Sequence, residues 1–362
     1  MILLKEKLSQ FHVAILIYMI QTGTVIITLP RLLAQNFGTN GWLALVLVSV
    51  IISLNLLLIS GVYQLGKGKS IFEILEKSIP KLILYPFYFT LATLWALIGC
   101  FVGKQYILIF KMIAFPTTNP MILKLVLVVL AFFLIIKNVY NISKAATVFF
   151  WFITWMLILM FYFYNDFQFS RLTPFVFKEA DLSINGFFTI YIAFLGYELC
   201  LLLFPYTNKK TKLMRAAQIG NLMVTLSYLY ICFIAFGFYG HEHLKTLQFP
   251  LLNMMAYIQF PFIQGTENLL YAFLMFSIII TSVMYWWSAR VVIQRVFSIN
   301  NKAITIIILA FSFGISFFSD SLNHAEKWLA ILGFTELGVA YLLPVCLIVI
   351  LLIQGKRGEP SE

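Results

Sequence analysis

The 362 residues are 62% hydrophobic and 11% charged, with a mean hydropathy of +0.94 and a formal net charge of +11. A water-soluble domain is nearer half apolar and a quarter charged, so this apolar excess excludes a soluble fold and requires a bilayer as solvent. The positive balance does not make a nucleic-acid binder: the cations fall between apolar runs and never gather on a polar domain, as topology signals do.

A spanning helix needs about 20 apolar residues. On that rule the chain reads as an all-α polytopic membrane protein, one membrane domain over 1–362. Ten spans follow in order: Phe11 to Gln35, Trp42 to Leu65, Leu82 to Ile109, Pro120 to Ile136, Ala145 to Tyr164, Ile184 to Tyr206, Ala216 to Tyr239, Asn268 to Ala289, Ala303 to Phe318 and Trp328 to Ile353. The fourth is the weakest and holds Lys124, and Lys104 lies near the end of the third. With both termini cytoplasmic, roughly two thirds of the 25 Lys and Arg fall on inside segments; the outside excess follows the third span. The first run is too long for a signal-peptide core and lacks an A-x-A site, so it is expected to stay as a helix.

Three amphipathic stretches lie between spans. Ser70 to Pro80 opens with a serine cap and a glutamate three residues on. Leu172 to Ile184 approaches the sixth span from outside, and Gln248 to Gln264 is expected to lie in the outer interface. Cys100, Cys200, Cys232 and Cys346 sit in apolar runs with no metal-type spacing and read as small buried hydrophobes.

The first and sixth spans share a pattern. Thr22-Gly23-Thr24 precedes Leu29-Pro30, and Leu195-Gly196-Tyr197 precedes Phe204-Pro205. A mid-membrane glycine and a proline about two turns later open each half of a five-plus-five inverted repeat, about 11–165 and about 184–354. Helices broken there would offer amides and dipole ends to an anion and carbonyls to a cation, which suits an amino acid. Glu198 lies two residues past Gly196. An acid in hydrocarbon costs at least about 2.5 kcal/mol on insertion scales, so it is expected to receive an ammonium, take a proton or pair with a protein group. Glu336 in the tenth span is similar but has no neighbouring break, and Glu267 is placed to meet the helix dipole of the eighth.

His241, Glu242 and His243 lack a complete ligand set, so no metal is expected there. No HExxH, GxSxG, P-loop or triad pattern occurs, so neither an enzyme nor a cofactor is expected. Trp286 and Trp287 with Arg290 read as an interfacial belt.

These residues resemble the B subunit of endospore germinant receptors, a branch of the amino acid–polyamine–organocation transporter superfamily. The likeness rests on Gly23 with Thr28-Leu29-Pro30, on Phe194 to Glu198 (FLGYE), on Leu172-Thr173-Pro174, on Phe249-Pro250, and on Leu332-Gly333 with Leu343-Pro344. Their order and spacing cover nearly the whole chain. The resemblance implies a LeuT-like fold with a germinant pocket among helices one, three, six and eight, often for an amino acid such as L-alanine. It places Thr22, Gly23 and Thr24 in the first break and Leu195 and Gly196 in the second. Leu97 and Phe101 would line it from helix three and Thr281 from helix eight. Implied partners are a larger A subunit and a lipoprotein C subunit in the spore inner membrane. Val25 stands where relatives often carry a second glycine, and Leu97 and Phe101 give a bulky lining, so L-alanine itself is not assigned. Helix five has no mid-membrane cation of the kind some proton-coupled relatives use. The expected function is sensing a small germinant, with an amino acid permease as the alternative.

Overall fold

The computed structural model describes residues 7–174, 177–181, 183–258 and 265–357. In chain order its helices are α1 (Gln10–Gln21), α2 (Leu29–Phe37), α3 (Ala44–Leu65), α4 (Ile71–Ser78), α5 (Lys81–Ile113), α6 (Pro120–Ile135), α7 (Val139–Thr154), α8 (Met156–Leu159), α9 (Ile184–Ile192), α10 (Leu213–Tyr239), α11 (His241–Thr246), α12 (Pro250–Tyr257), α13 (Thr266–Val296), α14 (Asn301–Ile315) and α15 (Leu322–Arg357). The described residues form no strand. Among the described residues, eight helical segments are long and apolar enough to cross a membrane, while α1 and α6 are shorter apolar helices.

The expected first span is two helices. α1 ends where Thr22 turns extended, a 3₁₀ turn covers Thr24–Ile27, and Pro30 sits in the first turn of α2. Proline fits there because the first-turn amides have no intrahelical partner to lose. The expected sixth span is likewise α9 followed, after a turn, by the 3₁₀ segment Tyr197–Tyr206.

Small residues let the central helices approach. A Cβ on Gly220 of α10 would lie 2.7 Å from the Ala14 carbonyl oxygen and 2.8 Å from Ile17 Cβ on α1. On α5, Gly99 lies against the Ser282 carbonyl and the Trp286 indole of α13. Such approaches substitute for the hydrophobic driving force that lipid removes. Polar side chains add to them. The Asn221 amide of α10 donates to Ser49 Oγ (3.3 Å) and Ser53 Oγ (3.2 Å) of α3, Thr225 Oγ1 donates to Ser49 Oγ (2.7 Å), and Asn55 of α3 donates to the Ala340 carbonyl of α15 (3.1 Å).

Several residues lie elsewhere than the sequence suggested. Lys104 and Lys124, counted among the outside cations at the ends of the third and fourth spans, are wholly buried. Lys124 Nζ donates to the Cys100 carbonyl (2.8 Å) and faces the Trp286 ring at 5.4 Å, which eases the outside excess of cations. Trp286 and Trp287 are 0% and 1% exposed, so they form no interfacial belt. Trp286 Nε1 donates to the Ala96 carbonyl (3.1 Å), and Arg290 beside them is buried with Nη1 on the Ile135 carbonyl (2.7 Å). Cys346 is exposed, unlike the other three cysteines. Ser70 caps α4 as expected, accepting the Phe72 amide at 3.3 Å. Residues 175, 176 and 182 of the stretch before α9, and 259–264 of the outer one, lie outside the described residues. The rest of the outer stretch is α12, which buries Leu251, Leu252, Met254 and Met255.

α11 clamps onto α2. His241 Nε2 donates to the Ala34 carbonyl (3.1 Å) and Gln35 Nε2 to the Lys245 carbonyl (3.0 Å). Lys245 Nζ lies 2.9 Å from Glu242 and 3.6 Å from Glu179. The bond from Lys245 holds the Glu242 carboxyl below the usual carboxylate range. A depressed carboxyl contributes stability that is complete above its unfolded value and lost as pH falls through the folded one.

Acidification below the ordinary glutamate range, about pH 4, is therefore expected to lower amide protection in 241–246, corrected for the intrinsic effect of pH on exchange, ahead of α13; equal loss in both would refute the clamp. Gly220→Val should cost about 1–3 kcal/mol through overpacking, seen as a lower melting temperature of detergent-purified protein. Gly314→Val, where a Cβ meets nothing within 4 Å, should leave it unchanged.

Candidate binding site at the two helix breaks

The two breaks differ physically. Gly196 has φ +115°, a conformation that side chains resist, and a Cβ there would collide with Ile20 of α1. Gly23 has φ −109° and ψ −167°, which any residue adopts, and a Cβ there meets nothing within 4 Å. Glycine therefore makes the second break possible, whereas at the first it leaves space.

The protein satisfies most of the freed backbone itself. Tyr228 of α10 donates its hydroxyl to the Gln21 carbonyl (3.0 Å) and the Ala193 carbonyl (3.3 Å), one on each broken helix. Gln21 Nε2 reaches across to the Phe194 carbonyl (2.7 Å). From α13, Thr281 donates to the Met19 (3.2 Å) and Ile20 (3.1 Å) carbonyls, and Ser277 donates to the Met19 and Thr22 carbonyls.

Between the breaks lies a cavity of about 90 Å³, lined by Gly23, Thr24 and Val25, by Ala193 and Leu195, and by Ile98, Val102 and Gln105 of α5. Thr281 and Tyr285 of α13 and Leu329 and Gly333 of α15 complete the wall. Thr24 donates to Gln105 Oε1. Gln21 Oε1 is buried with no partner, an acceptor left for a ligand donor. The first amides of the 3₁₀ turn that starts at Thr24 have no preceding turn to bond and suit an anion. No formally charged side chain lines the cavity. Larger hollows exist, such as an apolar groove of about 380 Å³ between α5, α13 and α14, but it lacks converging polar groups.

Of the expected site residues, Gly23, Thr24, Leu195 and Thr281 come together here. The others do not. Thr22 turns its hydroxyl back to the Tyr18 carbonyl (2.8 Å) and faces a separate small hollow with Ile26 and Met160. Leu97 and Phe101 are replaced in the lining by Ile98, Val102 and Gln105, a stripe one position along the helix. Phe101 instead stacks on Trp328, centroids 5.8 Å apart. Gly196 shapes the break without lining the cavity. Glu198 folds back on it, both carboxylate oxygens accepting the Gly196 amide (3.0 and 2.7 Å) and one accepting the Tyr285 hydroxyl (3.0 Å). Of the three roles left open for Glu198, pairing with protein groups is the one the geometry displays. Glu336, rated only as similar, contacts it. Gln21, Gln105, Tyr285 and Gly333 were missed; Gln21 and Gln105, each polar within an apolar run, were the readable signals.

Two of the HEH triplet, His241 and Glu242, meet Glu179, the three offering ligand atoms within 4.8 Å of one another. The Lys245 ammonium already occupies the space between the carboxylates.

A family model described as spore germination protein matches residues 7–325. Spore germination protein GerQB of Bacillus cereus is 24% identical, covering 93% of this chain and 94% of that protein. Spore germination proteins A2 and B2 of Bacillus subtilis (strain 168) are 22% and 24% identical, each match covering at least 97% of both chains. Among solved structures, a Na⁺-coupled sialic acid symporter in a substrate-bound outward-open state aligns with a TM-score of 0.63 at 10% identity, over 93% of this chain and 77% of that one. That likeness shows the LeuT-like fold alone.

Replacing Gly196 with Ala is expected to destabilise the detergent-purified protein by about 1–3 kcal/mol. Gly23→Ala should be neutral or stabilising by up to about 1 kcal/mol. Thermal unfolding of both variants that gave the reverse order would place the strain at the wrong break.

Proposed function

The chain belongs to the spore germination protein family, and on that premise we propose that it is the ligand-sensing membrane subunit of a germinant receptor. The observation that carries this reading is the cavity between two broken helices, with a spare acceptor at Gln21 Oε1 and unbonded first-turn amides beside Gly23. A zwitterion needs both an acceptor for its ammonium and donors for its carboxylate, and here neither partner brings a net charge. At about 90 Å³ the cavity is smaller than the engineered cavity of about 150 Å³ that holds benzene. The size favours a small amino acid over a nucleoside or sugar.

Binding would act by biasing a conformational equilibrium, and only by its differential affinity for the two states. Partner subunits, a larger A subunit and a lipoprotein C subunit in the spore inner membrane, would read the shift, with both termini of this chain cytoplasmic. No reaction is assigned to the site, whose lining brings no nucleophile and base together. The second reading is an amino acid permease, favoured by the likeness to a symporter fold.

Spores carrying only this receptor, screened against small amino acids, are expected to respond to at least one. Thr281→Val and Gln105→Leu should move the concentration dependence while leaving receptor abundance unchanged. Unchanged dose curves in both variants would remove the cavity from sensing. Saturable uptake of the same labelled amino acid into vesicles, abolished by Gly196→Trp, would instead establish the permease.

A further inference from the structure

Glu198 and Glu336 are 2% and 0% exposed, and their carboxyl groups lie beside one another. The bonds to the pair are the Gly196 amide and Tyr285 hydroxyl on Glu198, and the Trp95 indole of α5 on Glu336, at 2.9 and 3.1 Å to its two oxygens. The side chains facing the pair carry hydroxyl or thiol hydrogens: Tyr285 on α13, Tyr191 on α9, and Tyr197 and Cys200 beyond the break. Tyr191 bonds Tyr197 (2.6 Å) and Tyr341 (3.0 Å). No ion pair joins a lysine, arginine or histidine to either carboxyl among the described residues.

Two carboxylates cannot both stay ionised in contact, away from water and without a cation. The donors are unevenly shared. Glu198 takes an amide and a hydroxyl and stands at the start of a 3₁₀ segment, while Glu336 takes one indole N–H. Glu336 is thus the acid and Glu198 the acceptor.

A second observation links the pair to the cavity. Tyr285, which donates to Glu198, is part of the cavity wall, and so is Gly333, one turn before Glu336 on α15. A Cβ on Gly333 would lie 2.8 Å from the Ile192 side chain, so α15 meets α9 closely at the second break. We propose that Glu198 and Glu336 form a proton-binding site whose single shared proton fastens α15 to the break after α9. Its release to water would leave two adjoining carboxylates, repel α15 from the break and loosen the wall carrying Tyr285 and Gly333. This deepens the receptor reading by adding regulation at the same cavity, and so rests on it for the biological role alone.

Infrared spectra of the purified protein in lipid, titrated from neutral to alkaline pH, test the site without any germinant. The expected result is a deuterium-sensitive carboxylic-acid band at neutral pH that disappears on alkalinisation. Its frequency should shift or the band be lost in E336Q and in E198Q singly, and it should be lost in the double variant. A wild-type spectrum with no such band, or a band that neither single substitution changes, overturns the proposal. Hydrogen exchange over residues 194–200, corrected for the intrinsic effect of pH, reads the fastening. It should rise in wild type as the band disappears and stay flat in E336Q, whose amide keeps a donor in place. An equal rise in both refutes the coupling. Neither measurement depends on sensing, so failure here and failure of the receptor reading are distinguishable.

Discussion

Inside a bilayer, an amide or carbonyl without a helix partner must find one within the protein. α1 and α9 both stop short of a full crossing, and the bundle is arranged around what that leaves exposed. One hydroxyl, that of Tyr228, serves carbonyls of both breaks; Thr281 and Ser277 serve the first from α13; Gln21 reaches from the first break to the second. What is left over, the opening amides of the 3₁₀ turn, lies beside one small hollow that Gln21, whose side-chain oxygen has no partner, also lines.

The same logic explains why the acids sit where they do. A lone carboxyl at membrane depth is costly, yet Glu198 supplies the acceptor that the Gly196 amide lacks once α9 has ended. Glu336 then meets Glu198 from α15, and Trp95 and Tyr285 connect the pair to α5 and α13. Four segments that are distant in sequence share one polar node behind the cavity, so the wall and the node can change together.

Much of this was legible in the sequence. Composition and apolar runs give an all-helical membrane protein, and the Gly–Pro spacing gives both breaks, because covalent and solvation constraints on a buried backbone are local. Side-chain direction was not legible. Leu97 and Phe101 against Ile98, Val102 and Gln105 differ by one step of about 100° on a helix, and on a helix apolar all round no hydrophobic face fixes the phase. Trp286 and Trp287 near Arg290 look interfacial in sequence, yet the close approach at Gly99 draws Trp286 inward, and all three are buried. Lys104 and Lys124 count in sequence as cations at the outer side of two spans, and only the packing of α6 on α5 and α13 shows Lys124 bonded to a carbonyl inside the bundle.

The contact at Gly220 bears on mechanics. With the α10 backbone against Ala14 and Ile17, and Tyr228 of the same helix bonded to the end of α1, the two cannot slide past each other without steric penalty. Asn221 and Thr225 extend that attachment to α3. The three helices are fastened to one another, so widening the hollow by drawing them apart would break these contacts.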